Sequence, residues 1–149
     1  MYLKLAESEK EIIFLFDTRR NPIVDSMLSG DPPHTFEDHR KYIESNQEKK
    51  RWIYIAYEMD EMVGYSQVYG VTDSEMEVGF VIHPDYQNRG FGKELVKVTI
   101  KKAQETFPKR KTVLYVKKSN PKAIHVYEKL GFEEKGMRDD TVFMELRSS

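Results

Sequence analysis

The sequence predicts an α+β fold, with a central mixed, mostly antiparallel sheet of about six to seven strands flanked by about four helices. Three observations predict it. Short β-rich or apolar runs that read as strands outnumber the helical stretches. Two of these runs, WIYIAYEM and MVGYSQVYG, meet at MDE, which leaves room only for a hairpin. Then EMEVGFVI, a glycine-bearing turn, a long amphipathic stretch and KTVLYVK form one central strand–turn–helix–strand unit.

The elements follow in order. YLKL alternates and reads as a first strand. Residues 8–20 read as a helix with Ile12, Ile13, Leu15 and Phe16 as its apolar stripe. Residues 21–35 read as loop-like at both ends, because Pro22, Gly30, Pro32 and Pro33 interrupt any regular element. Residues 36–46 read as a second helix, opened by Thr35 with Asp38 three residues on, close to a capping box. After the hairpin, EMEVGFVI alternates: Met76, Val78, Phe80 and Ile82 face one way, Glu75, Glu77, Gly79 and Val81 the other. Leu95, Val96, Ile100, Ala103 and Phe107 mark the long helix, which Pro108 ends. In SNPKAIHVYEKLGF, Asn120 is the N-cap, Pro121 the first helical position and Gly131 the stop. Two last strands, near 132–135 and 141–146, close the chain. Trp52, Tyr54, Tyr57, Tyr65 and Tyr69 read as sheet packing.

A length of 149 residues suits a single domain, residues 1–149, with a core of its own. Basic and acidic residues number 24 and 25, so no overall field recruits nucleic acid or an anionic membrane. The chain has no cysteine, which excludes disulfides, thiolate metal sites and a cysteine nucleophile. MYLKLAESEK lacks the apolar run of a signal peptide, and no stretch approaches a membrane span, so the expected location is cytoplasmic. His34 and His39, with Asp31 and Asp38 nearby, fit no standard metal spacing, and no metal is expected.

HPDYQNRGFGKEL, residues 83–95, carries the chemistry. Glycine lets backbone N–H groups approach a ligand, and a helix N-terminus favours an anion, so the turn suits a phosphate. A P-loop would need a glycine where Gln87 stands and a hydroxyl where Glu94 follows Lys93. A dinucleotide fingerprint would need a third glycine where Leu95 stands. A third design, Q/R-x-x-G-x-G/A between a strand and a long helix, matches Gln87, Gly90 and Gly92. Downstream, Asn120, Ala123, Tyr127, Gly131 and Phe132 match the spacing N-x-x-A-x-x-x-Y-x-x-x-G-F.

With these two motifs, in this order, the sequence resembles the GCN5-related N-acetyltransferase (GNAT) family over residues 62–132. The resemblance implies a GNAT-like fold and acetyl-coenzyme A (acetyl-CoA) as co-substrate. It implies that Asn88, Arg89, Gly90, Phe91, Gly92 and Lys93 line a pyrophosphate site. Phe80, Val81 and Ile82 would pair with the pantetheine arm as an added strand would, and Asn120 would join the cofactor residues. Tyr127 stands at the family's general-acid position.

Acetyl transfer to an amine needs a base, donors for the oxyanion and a proton for the leaving thiolate. An alkyl amine has a pKa of about 10 and the thiol about 8.5, and tyrosine, also near 10, can supply a proton without ionising first. Some relatives place a glutamate on the strand before the Asn120 motif; by spacing that position here is Tyr115. Glu77, in a strand similar to the E-[IV]-G-[YF] strand of other members, is the candidate base, directly or through water. A solvated strand face accounts for Glu75 and Glu77 nearly as well. A backbone amide near Ile82 is the candidate oxyanion donor.

The function implied is N-acetyl transfer to a primary amine of a small molecule, an amino sugar or a protein N-terminus. A non-catalytic acetyl-CoA-binding module and a nucleotide-binding enzyme are the alternatives. Arg19, Arg20 and Asn21 could meet an anionic acceptor or simply end a helix. Dimers are common in the family, so a homodimer is compatible with the resemblance, though no exposed stripe marks an interface.

Overall fold

The structure, a computed structural model, describes residues 1–46 and 48–148. These form a seven-stranded sheet and five α-helices. β1 (Tyr2–Leu5) leads into α1 (Glu9–Arg20), α2 (Pro22–Met27) and α3 (Phe36–Glu44). The hairpin β2 (Trp52–Glu58) and β3 (Glu61–Tyr69) precedes β4 (Glu75–Ile82), a 3-10 turn (Pro84–Tyr86) and α4 (Phe91–Thr106). β5 (Lys111–Lys117), α5 (Pro121–Lys129), β6 (Phe132–Arg138) and β7 (Thr141–Leu146) complete the chain. The order in the sheet is β1-β2-β3-β4-β5-β7-β6, and only β4 and β5 run parallel.

Caps explain where the helices start. Ser8 and Glu11 form a full capping box at α1, Thr35 Oγ1 accepts from the Asp38 amide at α3, and Asn120 Oδ1 accepts from the Ala123 amide at α5. α2 corrects the loop-like start expected at Pro22. Asn21 caps it through the Ile23 amide, and Pro22 sits at the first helical position, where a missing N–H costs nothing. The stripe of α1 is also corrected. Ile12 and Leu15 are buried with Glu11 and Thr18, whereas Ile13 is 43% exposed. The β2–β3 hairpin turns on two residues, Met59 and Asp60, both at positive φ, the twist that favours tight hairpins.

The sheet has two cores. Ile53 and Ile55 of β2, Tyr65 of β3 and Val81 of β4 pack under α1, α2 and α3. Tyr54, Val68, Met76 and Val78 pack on the other face against Val96 and Ala103 of α4, with α5 docked beside them. β3 and β4 approach closely because Gly64 has no side chain: a Cβ there would stand 2.3 Å from the Val81 carbonyl oxygen.

One buried acid ties β1, α1 and β2 together. Glu11, 2% exposed, accepts from Lys4 Nζ (2.9 Å), the Tyr57 hydroxyl (2.7 Å) and the amides of Glu7 and Ser8 (3.1 and 3.0 Å). Burial alone would raise its pKa. The Ser8 amide, Lys4, Tyr57 and the Glu7 amide outweigh it and hold the carboxyl at about 2. A depressed folded-state value means stability that is present above the ordinary carboxylate range and is lost as pH falls toward 2. Glu11→Gln should therefore cost about 2 kcal/mol at pH 7, from the donors it leaves unsatisfied. In urea unfolding, that difference from the parent should shrink steadily as pH falls below the carboxylate range.

Candidate active site

The sheet opens along one seam. β4 pairs with β5 only at Glu75↔Lys111, Met76↔Thr112 and Glu77↔Val113. Beyond this, β4 runs on to Ile82 bonded only to β3, while β5 pairs with β7 from Val113↔Glu145 to Lys117↔Thr141. Among the described residues the edge of β4 from Val78 to Ile82 is thus left with no strand partner inside the sheet, its Ile82 carbonyl alone being met by a side chain, and an extended ligand can add there like a strand. A cleft of about 1090 Å³ fills the seam and passes between the helices on both faces.

At one end the cleft meets the N-terminus of α4. Gly90 is its N-cap at φ +80°, with no side chain closing the first turn, and a Cβ there would project into open space. The first-turn amides are therefore available to an anion, and the helix dipole favours one. Asn88 precedes at φ +65°. Lys122, from the first turn of α5, donates to its Oδ1, so the turn and α5 are stitched across the cleft mouth. Gln87 Nε2 donates to the Ile82 carbonyl (3.3 Å), and fixes the turn on the end of β4. Asn88, Gly90, Gly92 and Lys93 line the cleft. Two expected residues turn their side chains elsewhere. Phe91 packs against the buried cluster of Ala56, Val63 and Leu95, and the Arg89 guanidinium lies 5.4 Å from the Tyr86 ring centre. Only their backbones belong to the cradle.

Tyr127 and Glu77 reach the cleft from opposite faces of the sheet. Tyr127, on α5, stands against Phe80 (5.8 Å between ring centres) and Phe132 (5.9 Å), and burial pushes its hydroxyl up to about 12. Its proton is held throughout the neutral range. Glu77 lies on the α1–α3 side. Burial raises its carboxyl above the ordinary range, the hydroxyl of Tyr69 opposes that by donating to Oε2, and Glu75 adds to the rise. Tyr69 is itself pushed up, by burial and then by Glu77. Phe80, Val81, Ile82 and Asn120 all border the cleft. Asn120 spends its Oδ1 on the α5 cap. Tyr115, where some relatives place an acid, is 55% exposed and packs on Phe143.

Sequence reading missed Tyr69 and Lys122. Tyr69 stands opposite Glu77 in the β3–β4 register, two residues further along than counting outward from the 70–74 turn would place its partner, so the sequence alone points to Glu75 instead. Lys122 reaches the cradle only through the packing of α5, and the sequence holds no local sign of it. Tyr65 and Tyr69, read as sheet packing, also face the cleft. Among the described residues no group of acids and histidines is placed to hold a metal ion, and no helix is long and apolar enough to cross a membrane.

The pattern of the family described as "Acetyltransferase (GNAT) family" matches residues 19–132, most of the chain and all of the seam. The chain belongs to the acetyltransferase (GNAT) family. As a GNAT protein it is an acyltransferase. It is 24% identical over 132 residues to a spermidine N(1)-acetyltransferase of Vibrio cholerae, covering 85% of this chain and 75% of that one. The GNAT fold itself recurs in a spermidine N-acetyltransferase from Vibrio cholerae in complex with CoA and spermine. That match has a TM-score of 0.87 and 19% identity, over 97% of this chain and 94% of that one. Campylobacter jejuni PseH, in complex with acetyl coenzyme A, aligns with a TM-score of 0.78 and 22% identity, over 99% and 100% of the two chains.

Tyr69→Phe isolates the hydrogen bond to Glu77. Because that bond favours the charged carboxylate, its removal should move the Glu77 pKa further up, read by carboxyl carbon-13 chemical shift against pH. An unmoved or lowered value would mean that the bond does not govern this carboxyl.

Proposed function

We propose that this protein moves the acetyl group of acetyl-CoA to a primary amine by direct transfer in a ternary complex. The observation that carries the reading is the open seam: one cleft joins an uncapped helix N-terminus, a bare strand edge and two titratable groups. The α4 amides, with Lys93 and Lys122, would hold the pyrophosphate; Val78–Ile82 would hydrogen-bond the pantetheine arm. The thioester would then lie between Tyr127 and Glu77. The neighbours of the same fold bound to acetyl coenzyme A and to CoA with spermine support a co-substrate of this class.

In this reading Glu77 takes the ammonium proton, directly or through a water, and its raised pKa brings it nearer its task. The free amine attacks the thioester carbonyl, and a backbone amide at the end of β4 steadies the oxyanion. The C–S bond breaks, the electron pair goes to sulfur, Tyr127 gives its proton to the thiolate, and the proton shed by the new amide nitrogen passes through solvent to restore Tyr127. A protonated Tyr127 at neutral pH is what a donor requires. The chain has no cysteine to carry an acyl intermediate, which favours direct attack. A module that binds acetyl-CoA without turning it over would have no use for the two groups at the seam. We place the protein in the cytoplasm, where acetyl-CoA and free amines meet.

Two variants should separate binding from chemistry. Gly90→Val strains a left-handed position and fills the cradle, so acetyl-CoA affinity should fall by more than about tenfold. Tyr127→Phe should bind acetyl-CoA like the parent while turnover with an amine panel falls about 10²-fold. Undiminished turnover in Tyr127→Phe would remove it as the acid, and undiminished affinity in Gly90→Val would remove the cradle.

A further inference from the structure

Beyond Glu77 the cleft continues between α1, α2, α3 and one face of β3, and this half has a charge pattern of its own. Two guanidinium groups are built into its wall. Arg19, with a side chain 14% exposed, donates to Asp25 (2.8 Å) and to the Gly30 carbonyl (3.1 Å), so its charge is matched. Arg51 is not matched. Its Nε donates to Asn46 Oδ1 (3.0 Å) and its Nη2 to Ser45 Oγ (2.7 Å) and the Tyr42 carbonyl (3.0 Å), all neutral partners. Its carbon lies 3.7 Å from the Tyr42 ring centre. Among the described residues no carboxylate pairs with it and none accepts from Nη1.

The groups around Arg51 also have donors to offer. Tyr65, 5% exposed, turns its hydroxyl into this half with no protein partner among the described residues. His39, 8% exposed between Phe16 and Tyr42, has an Nε2 that is buried and unpartnered. Burial and then the Arg19 charge keep His39 neutral, so a proton on Nε2 can be donated. The acids lining this half are Glu77, engaged by Tyr69, and Asp31 and Asp38, both on the exposed rim. A polycation would need carboxylates along the inner wall. The wall offers N–H and O–H donors and the positive charge of Arg51 instead, with Lys117 donating to the Ser26 carbonyl (3.4 Å) at the α2 end.

We propose that the acceptor is an amine bearing an oxyanion, a carboxylate or a phosphate, remote from its amino group, and that Arg51, Tyr65 and His39 bind this oxyanion. The inference rests on the N-acetyltransferase reading and narrows it to a substrate class. A guanidinium meets an oxyanion with two parallel N–H groups, and a half-buried one gains more from the encounter than a solvated one. The same contact orients the substrate, with its amine toward Glu77.

The test uses matched amines and initial rates of CoA release. Glucosamine is compared with glucosamine 6-phosphate, β-alanine amide with β-alanine, and spermidine serves as the polycation. The charged member of at least one pair should have kcat/KM at least about tenfold above its neutral partner, and the larger gain tells phosphate from carboxylate. Arg51→Met and Tyr65→Phe should each reduce that ratio several-fold, and Arg51→Lys should restore part of it. Stabilisation of each variant by acetyl-CoA in thermal unfolding verifies that it is folded. If neutral amines or spermidine are preferred while acetyl-CoA binds, or if folded Arg51→Met and Tyr65→Phe keep the full ratio, the oxyanion site is refuted and the acetyltransferase reading stands. If acetyl-CoA fails to bind the parent, both fall.

Discussion

Every structural feature of the candidate site follows from the point at which β4 and β5 part. Three residue pairs hold them together, and then each strand keeps its outer partner and leaves its inner edge bare. Unpaired backbone inside a sheet is costly unless water or a ligand meets it. The fold tolerates the opening because both strands are secured elsewhere, β4 through the close approach over Gly64 and β5 through its five-pair ladder with β7. The opening lets side chains on opposite faces of one sheet face a single space. In a closed sheet Tyr127 and Glu77 would be separated by the backbone layer.

The parallel crossing that creates the seam also supplies its charge. A parallel β4–β5 pair requires a crossover helix, and that crossover starts α4 just past the end of β4. The helix N-terminus therefore stands at the mouth of the seam, where its dipole favours an anion. The turn leading into it needs left-handed backbone at Asn88 and Gly90, which is why a glycine and an asparagine stand there. In the proposed reaction one end of the co-substrate is held by charge, the arm by backbone hydrogen bonds, and the thioester by position alone. Affinity and chemistry are then carried by different residues.

Much of this was legible in the sequence, for local reasons. Strand alternation in EMEVGFVI, the caps at Thr35 and Asn120, and the glycines of the turn are properties of neighbouring residues, and the elements they predict are present. α2 was hidden because proline was taken as an interruption, although after an asparagine cap it starts a helix. The side-chain directions of Arg89 and Phe91 were not legible, since a motif marks the backbone turn and leaves side chains to packing. The bond from Tyr69 to Glu77 needs strand register, and the contact of Lys122 with Asn88 needs α5 docked on the sheet. The acceptor half lay beyond reach because its walls come from separate elements, α1, α2, α3 and β3, that only tertiary packing brings together.

The central claim is that the bare edge of β4 and the first turn of α4 receive the co-substrate, and amide hydrogen exchange measures this directly. With saturating acetyl-CoA, the amides at the inner edge of residues 78–82 and those of residues 91–93 should exchange more slowly, while those of β1 and β6 at the sheet margins stay unchanged. Binding without protection at these two places, or protection confined to another surface, would contradict the seam as the acetyl-CoA site.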